Sequence, residues 1–332
     1  MNKMLLIYNP VAGDMRIQSA LSDLVNFFTG EGFLVTVYPT QASGDARRIL
    51  ADLQEHYDRL VVCGGDGMLH EALNGWMESR QKPLLGYIPA GTVNDFASSH
   101  EIPRNILDAA KIAASRTWAP IDVGCFNDEY FSYVAAFGLA TSVSYKTNQN
   151  RKNRLGSLAY VIEALSSVDF AHWENNCETM RIEWADGTIE GDFLYGMVSN
   201  SRYVAGSDLF TRNLFDWSDG LLEGVFIRRP MNITELNQII GCILRSDFDH
   251  PLVIQVQSPW FSFDGTQTAW TLDGEFGGTH DRVLAKACPH ALSITLPQTH
   301  IQAKLSGIEY GELPAEVLAE QENPVKEEKG SE

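Results

Sequence analysis

The chain has 332 residues, 44% of them hydrophobic, with a formal charge of −18 and an isoelectric point near 4.8. This length holds one large or two ordinary domains, and we expect two. The acidic balance argues against a nucleic-acid binder and against permanent adsorption to anionic lipid. Five scattered cysteines, none in a C-x-x-C pair, fit a reducing cytosol and not a zinc site.

The first third of the chain alternates apolar runs with amphipathic segments, which predicts a parallel sheet between helix layers. We predict strands over 4–8, 33–38, 60–63 and 84–88, and helices over 17–28, 43–55, 69–77 and 106–114. Ser43 is the expected cap of its helix.

The pattern changes near residue 121 to strands joined by tight turns. One example is the hairpin 181–190, whose Asp186-Gly187 step suits a two-residue turn. A single helix over 156–168 interrupts the strands. Further strands are predicted over 193–199, 222–227, 252–256, 268–272 and 292–296. This texture indicates a mostly β second domain, interpreted as a sandwich.

A glycine-rich motif, Gly64-Gly65-Asp66-Gly67, lies between a predicted strand and a helix. Glycines there let backbone N–H groups approach a phosphate, and the helix start adds positive potential. An aspartate beside phosphate needs a Mg²⁺, a ribose hydroxyl or neighbouring N–H groups to face. A plain structural turn is the alternative. Two other loops, Asn9 to Gly13 and residues 89–96, should meet this motif at the carboxyl edge of the sheet.

Four motifs together resemble the soluble bacterial diacylglycerol kinase and multi-substrate lipid kinase family, related to sphingosine kinases. They are Asn9-Pro10-Val11-Ala12-Gly13, Gly64-Gly65-Asp66-Gly67, Pro89-Ala90-Gly91-Thr92-Val93-Asn94-Asp95-Phe96 and Leu272-Asp273-Gly274-Glu275, with an acidic Asp219-Gly220 site between the last two. The glycine-aspartate motif alone also suits NAD kinases and 6-phosphofructokinases. The loop from Gly91 to Phe96 selects lipid kinases.

The resemblance implies an α/β fold plus an all-β domain. A Rossmann-like three-layer nucleotide-binding domain would cover residues 1–124, joined by a returning segment 298–318 in which residues 308–318 pack back. A β-sandwich lipid domain would cover 125–297. An acidic disordered tail would cover 319–332, where glutamates outnumber lysines.

The resemblance also implies particular site residues. The ATP contacts would be Asn9, Pro10, Val11, Ala12, Gly13, Thr40, Gly64, Gly65, Asp66, Gly67, Met68, Leu69, His70 and Thr92. A structural Mg²⁺ would be held by the Asp219 side chain with the carbonyls of Asp216 and Leu221. Asp66, Asp273 and Glu275 would be catalytic, with Glu275 as the proton acceptor. A hairpin turn and a solvated loop are the respective alternatives for residues 273–275 and 216–221.

The sequence departs from the family pattern inside its central motif. The family usually has threonine at Met68, asparagine at His70 and a small hydroxyl residue at Ala12. The loss of two hydroxyls weakens nucleotide positioning, while the backbone N–H groups remain. We interpret His70 as a substitute hydrogen-bonding residue, the alternative being a solvated histidine.

We therefore predict an ATP- and Mg²⁺-dependent lipid kinase, with diacylglycerol as the first acceptor and phosphatidic acid as the product. Sphingoid bases, monoacylglycerol and phosphatidylglycerol stay open as acceptors. The alternatives are an NAD-kinase-like phosphotransferase and a catalytically weakened nucleotide-binding regulator at the membrane surface. Retention of the acidic residues argues against the regulator.

The expected partners are a membrane lipid and, transiently, the inner face of the membrane, with no nucleic acid. We expect a cytoplasmic protein and keep a homodimer as a candidate assembly. One basic cluster, Lys146, Arg151, Lys152 and Arg154, precedes the apolar start of the 156–168 helix and suits anionic headgroups. A mobile surface loop is an equal alternative.

Overall fold

The computed structural model describes residues 1–12, 16–138, 177–204, 207–208, 216–245 and 249–305. Strands and helices alternate as far as residue 114, as the sequence predicts. These elements are β1 (Asn2–Tyr8), α1 (Arg16–Gly30), β2 (Phe33–Pro39), α2 (Asp45–Ala51), β3 (Arg59–Gly64), α3 (Asp66–Glu78), β4 (Leu84–Pro89), α4 (Asp95–Ser99) and α5 (Ile106–Ala114).

The first four strands lie parallel in the order β2, β1, β3, β4. An apolar stripe on α1, formed by Ile17, Leu24 and Phe28, is fully buried in the core of this part. Burial of each such side chain contributes about 1.5–3 kcal/mol. The carboxyl ends of β1, β3 and β4 lie side by side, so the loops that follow them share one edge of the sheet.

The remaining described elements are mostly antiparallel strands. They are β5 (Trp118–Phe126), β6 (Glu129–Phe131), β7 (Val134–Gly138), β8 (Glu178–Trp184), β9 (Gly187–Ser199), β10 (Tyr203–Val204), β11 (Ser207–Asp208), β12 (Leu222–Arg228), α6 (Ile233–Arg245), β13 (Val253–Ser258), β14 (Trp260–Leu272), β15 (Glu275–Thr295) and α7 (Gln298–Leu305).

A single long strand, β15, joins the two parts of the fold. It pairs antiparallel with β14 and with β5, and near its end Ile294 lies beside Leu85 of β4 in parallel register. Thirteen of the fifteen described strands therefore form one continuous sheet, and β10 and β11 pair with each other. The architecture is mixed α/β and strand-rich. After β15 the chain returns to the first part, where Ile301 of α7 is buried in the core that contains β1 and β3.

An aromatic core fills the antiparallel part. Trp270 packs edge-on against Phe126 and Phe263, with ring centroids 5.0 and 4.9 Å apart. Such pairs add about 0.5–1.5 kcal/mol beyond their buried area.

Neither β7, which runs through this core, nor α6 is predicted from the sequence, whereas both strands of the 181–190 hairpin are.

Three local expectations are wrong. Helix α2 begins at Asp45, after Gly44, which has a φ of 81° that glycine adopts more readily than other residues. The Ser43 hydroxyl does not cap the helix and instead donates to Glu71 Oε1 at 3.1 Å. Helix α3 begins at Asp66, three residues earlier than predicted. In the β8–β9 hairpin Trp184 pairs with Gly187, so the turn is Ala185-Asp186 rather than Asp186-Gly187.

Several predictions lie outside the described residues. They are the helix 156–168, the basic cluster Lys146, Arg151, Lys152 and Arg154, the packing of residues 308–318 and the acidic tail 319–332. Among the helices that are described, none combines the length and apolar character needed to cross a bilayer.

A buried histidine, His100, and a partly buried one, His300, lie where α7 meets the end of α4. The rings of His100 and His300 are 5.6 Å apart, and His300 stacks on Trp217. His100 Nδ1 and His300 Nε2 are buried without a hydrogen-bond partner among the described residues. Burial lowers the pKa of both histidines, most strongly that of His100. Both rings are therefore neutral in the folded protein at neutral pH.

Because the pKa of His100 is lower in the folded than in the unfolded chain, the unfolded chain binds more protons below about pH 6.5. We expect the free energy of unfolding to decrease as the pH falls from that value. Replacement His100→Leu should flatten this dependence in urea titrations. The exposed His56 gives the control, since His56→Leu should leave the slope unchanged. Equal slopes in all three proteins would contradict the assignment.

Candidate active site

Two glycine loops meet backbone to backbone at the carboxyl edge of the parallel strands. A Cβ built on Gly91 would lie 2.6 Å from the Cα of Gly65, so neither loop tolerates a side chain at this contact. Asn94, in the left-handed region with φ of 56°, braces the second loop. It accepts from the Gly91 N–H at 2.9 Å and donates to the Gly91 carbonyl at 2.8 Å.

Helix α3 begins directly behind this contact. Its N-cap residue, Gly65, is extended and supplies no side-chain capping bond. The first backbone N–H groups of a helix have no partner within it, so those of Gly67 and Met68 are available to an anion. The strand-to-helix junction is therefore the one that the glycine motif predicts, and phosphate binding there stays a prediction.

Asp66 is the first residue of α3 and does not lie in a free loop. Its Oδ2 accepts from the Asp95 N–H at 3.3 Å, while its Oδ1 is buried with no partner in the described ranges. Burial, together with the charges of Asp95 and Asp273, raises the pKa of Asp66 to about 7. An unpartnered oxygen in an acidic surrounding fits a divalent cation, which accepts oxygen ligands and would favour the ionised carboxylate.

Asp273 is the most completely hydrogen-bonded carboxylate of the site. Its Oδ2 accepts from the Ser132 N–H at 2.7 Å, the Ser132 hydroxyl at 3.1 Å and His70 Nδ1 at 3.0 Å. Its Oδ1 accepts from the N–H groups of Tyr133 and Val134 at 2.9 and 3.1 Å. The side chain has no exposed surface. These bonds make Asp273 an anchor of the strands around it and leave its oxygens no room for a metal.

Glu275 is placed by the same turn. Leu272 pairs with Glu275, and the intervening Asp273 and Gly274 have φ of 50° and 82°, the values that a tight two-residue hairpin requires. The hairpin-turn interpretation of residues 273–275 is therefore correct, and the catalytic interpretation of the two carboxylates stays a prediction. The exposed Glu275 reaches the start of α3, because a Cβ on Gly67 would lie 2.8 Å from its Oε1.

A cleft of about 680 Å³ opens between these elements. Predicted site residues in its lining are Asn9, Pro10, Val11, Thr40, Gly67, Met68, His70 and Glu275. Other predicted contact residues lie outside this lining. The side chain of Leu69 is buried in the core and its N–H donates to the Gly65 carbonyl at 3.1 Å, so it supports the loop from within. Thr92 is exposed on the loop of Asn94, and Gly13 lies outside the described residues.

Several lining residues are missed by sequence reasoning. Arg47 of α2 reaches the cleft wall, held by Glu78 and Glu129 at 2.5 and 2.8 Å. Asn74 ties α3 to β6 through two bonds of 2.9 Å with the backbone of Tyr130. No local signal marks these residues, because their partners are distant in sequence.

The predicted Mg²⁺ loop lies on a separate part of the fold. Asp219 Oδ1 accepts from the Leu221 N–H at 2.9 Å, and Asp216 Oδ1 accepts from Lys304. Desolvation and the charge of Asp122 raise the pKa of Asp219, while burial and the charge of Asp219 raise that of Glu223 to about 9. Glu223 Oε2 is buried without a partner in the described ranges.

Asp216 is paired with Lys304, whereas Asp219 and Glu223 form no ion pair among the described residues, which suits a metal ion nearby. No three histidine, cysteine or acidic side chains of the described chain cluster as a metal site requires. A metal here would therefore need the backbone carbonyls that the resemblance implies.

Comparison with known proteins identifies the chain. Residues 3–126 match the model of the diacylglycerol kinase catalytic domain. A diacylglycerol kinase of Staphylococcus saprophyticus is 31% identical over 276 residues, which are 82% of this chain and 88% of the relative. This chain belongs to the diacylglycerol kinase family. A relative of the same name from Staphylococcus carnosus is also 31% identical, with the same coverage.

Solved structures share the fold. The crystal structure of a diacylglycerol kinase from Bacillus anthracis str. Sterne superposes with a TM-score of 0.75 over 90% of this chain and 98% of that one, at 22% identity. A second structure from the same organism gives a TM-score of 0.78 at 24% identity, over 90% and 96% of the two chains. The sequence relatives, in addition, show that this chain is an ATP-dependent lipid kinase.

The anchoring role of Asp273 predicts a joint loss of stability and activity. Replacement Asp273→Asn removes the charge and sets an NH₂ group against backbone donors, and each lost charged hydrogen bond costs about 1.5–3 kcal/mol. We expect a lower Tm and a lower kcat in the same preparation. Asp186→Asn, in the turn of another two-residue hairpin, is the control. A variant with normal Tm and little activity would instead indicate a purely chemical role.

Proposed function

We propose that this protein transfers the γ-phosphoryl group of ATP to the hydroxyl of diacylglycerol and forms phosphatidic acid. The observation that carries the proposal is the placement of Glu275 against Gly67 at the start of α3, fixed there by the Asp273 turn. A carboxylate at that position faces the terminal phosphate of a nucleotide whose phosphates lie on the helix start. The relatives named diacylglycerol kinase supply the acceptor class.

The residues divide the reaction among them. The N–H groups of Gly67 and Met68 bind phosphate oxygens, and Asp66 would hold a Mg²⁺ through its unpartnered Oδ1. Such a metal neutralises charge on the phosphates. Glu275 accepts the proton of the lipid hydroxyl while the oxygen of that hydroxyl attacks the γ-phosphorus. The bond from that phosphorus to the bridging oxygen breaks and leaves ADP.

A division into two domains would suit these roles. We infer that residues 1–124, with the returning segment 298–318, form the nucleotide domain and that residues 125–297 form a β-sandwich for the lipid. The separate cores of the parallel and antiparallel parts support this division. The lipid acceptor requires transient contact with a membrane, which we assign to the inner face.

The general-base role of Glu275 is tested by Glu275→Gln, which keeps the size of the side chain but cannot accept the proton. We expect kcat to fall by about 10²–10⁴-fold with little change in ATP affinity. The assay uses mixed micelles with labelled ATP and offers diacylglycerol, monoacylglycerol, phosphatidylglycerol, a sphingoid base and NAD in parallel. Diacylglycerol should give the highest kcat/KM.

Glu183→Gln, on the exposed part of β8, is the matched control and should retain normal turnover. A Glu275→Gln protein with a kcat close to that of the unmodified protein would remove Glu275 as the base. Turnover of NAD in place of every lipid would overturn the acceptor assignment.

We also propose that the loop of Asp216, Asp219 and Leu221 holds a structural Mg²⁺. Removal of this ion with EDTA should lower the Tm, because an ion that binds only the folded state stabilises it. Asp219→Ala should lower the Tm similarly and make it insensitive to EDTA. Asp186→Ala serves as the control. A Tm that neither EDTA nor Asp219→Ala changes would show that the loop needs no metal.

A further inference from the structure

His70 lies on α3 one turn after Asp66 and lines the cleft together with Gly67, Met68 and Glu275. Its side chain is 15% exposed, so most of the ring is buried and a single edge reaches the cleft. The buried edge meets Asp273, 203 positions away in the chain. The ring is therefore fixed by the most firmly held carboxylate of the site.

The Asp273 contact determines which ring nitrogen faces the cleft. Asp273 accepts from Ser132, Tyr133 and Val134, which are bonds to an ionised carboxylate. A carboxylate in that state only accepts, so Nδ1 of His70 carries the hydrogen of the 3.0 Å bond. Nε2 forms no hydrogen bond with another described residue and is left for a ligand.

The charges around the ring favour its cationic form. Asp273 contacts it from the β14–β15 turn, Glu275 faces it from β15 and Glu129 from β6, while Asp66 and Glu71 lie on its own helix. Arg47, the cation of the opposite wall, is engaged by Glu78 and Glu129. Burial opposes the charge, but the Asp273 bond and the three carboxylates outweigh it and raise the pKa of His70.

We propose that His70 is a phosphate-binding cation, whose Nε2–H donates to the nucleotide's terminal phosphate while Asp273 orients the ring. The proposal rests on the kinase function above and deepens it. His70 keeps its proton throughout: the lipid proton goes to Glu275, and the imidazolium offsets the negative charge of the phosphoryl group in transfer. Asp273 is a positioning residue, because it acts through His70 and does not contact the substrate.

This role explains how the glycine motif works without two side-chain hydroxyls. Met68 and Ala12 stand where the family usually has hydroxyl residues, and neither can donate to a phosphate. The Met68 side chain instead packs on the loop, since a Cβ on Gly64 would lie 2.6 Å from the Met68 Cβ. A charged donor at His70 replaces such contacts from the next turn of the helix.

The test compares His70→Asn, which keeps an N–H toward Asp273 but carries no cation, with the unmodified protein. We expect kcat/KM for ATP to fall by about 10–100-fold at neutral pH. In the unmodified protein kcat/KM should decrease as the pH rises through the His70 pKa. In His70→Asn this alkaline decrease should be absent. His56→Asn, at an exposed histidine outside the cleft, should reproduce the unmodified profile.

A second measurement does not depend on turnover. The Nε2 resonance of His70, assigned by its loss in His70→Asn, should shift when Mg²⁺ and a non-hydrolysable ATP analogue are added. The shift tests the phosphate contact even if the lipid acceptor is misassigned, so the two proposals fail separately. The Tm is recorded for each variant and for a second substitution, His70→Gln. A normal Tm shows that a loss of activity does not come from misfolding.

Two outcomes would overturn the proposal. The first is an unchanged kcat/KM for ATP in His70→Asn, together with a resonance that the nucleotide does not move. The second is a rate that rises with pH in the unmodified protein and loses that rise in His70→Asn. The second result would make His70 a base rather than a cation.

Discussion

A single buried carboxylate, that of Asp273, determines the arrangement of the candidate site. It accepts hydrogen bonds from backbone N–H groups between β6 and β7 and from a ring nitrogen on α3. The backbone of Asp273 itself forms part of the turn that precedes β15. One ionised group thus ties together three stretches that are far apart in sequence. A buried charge is stable only when such donors surround it. The need to surround this charge with donors fixes the turn that carries Glu275 and the orientation of the His70 ring.

The site concentrates negative charge, since Asp66, Asp273 and Glu275 converge where phosphates are to bind. Such a surrounding repels a bare nucleotide, so binding depends on cations of defined position. In our proposal two cations meet this need: a metal ion held by the unpartnered oxygen of Asp66, and the imidazolium of His70. We expect the acidic character of the cleft to favour a metal-bound nucleotide over a metal-free one.

The sequence predicts local features well and long-range ones poorly. Helix α5 has the predicted bounds 106–114, because Asn105 caps it with bonds to the N–H groups of Leu107 and Asp108. The capping prediction for Ser43 is wrong because its hydroxyl donates a hydrogen bond to Glu71, a residue of another helix. The glycine motif and the Asp273-Gly274 turn are visible as motifs. The contact of His70 with Asp273 is not, since no local pattern encodes a bond across 203 positions.

The long strand β15 also bears on how the protein is made. Among the described residues, the outer edge of β4 pairs with β15 where Ile294 lies beside Leu85, and the Thr295 hydroxyl donates to the Leu85 carbonyl at 3.3 Å. During synthesis the amino-terminal sheet therefore emerges with an unpaired edge, which stays open until almost the whole described chain has left the ribosome. Open edges invite pairing with other chains. We therefore expect the nascent protein to need chaperones, or rapid completion, more than its compact first part suggests.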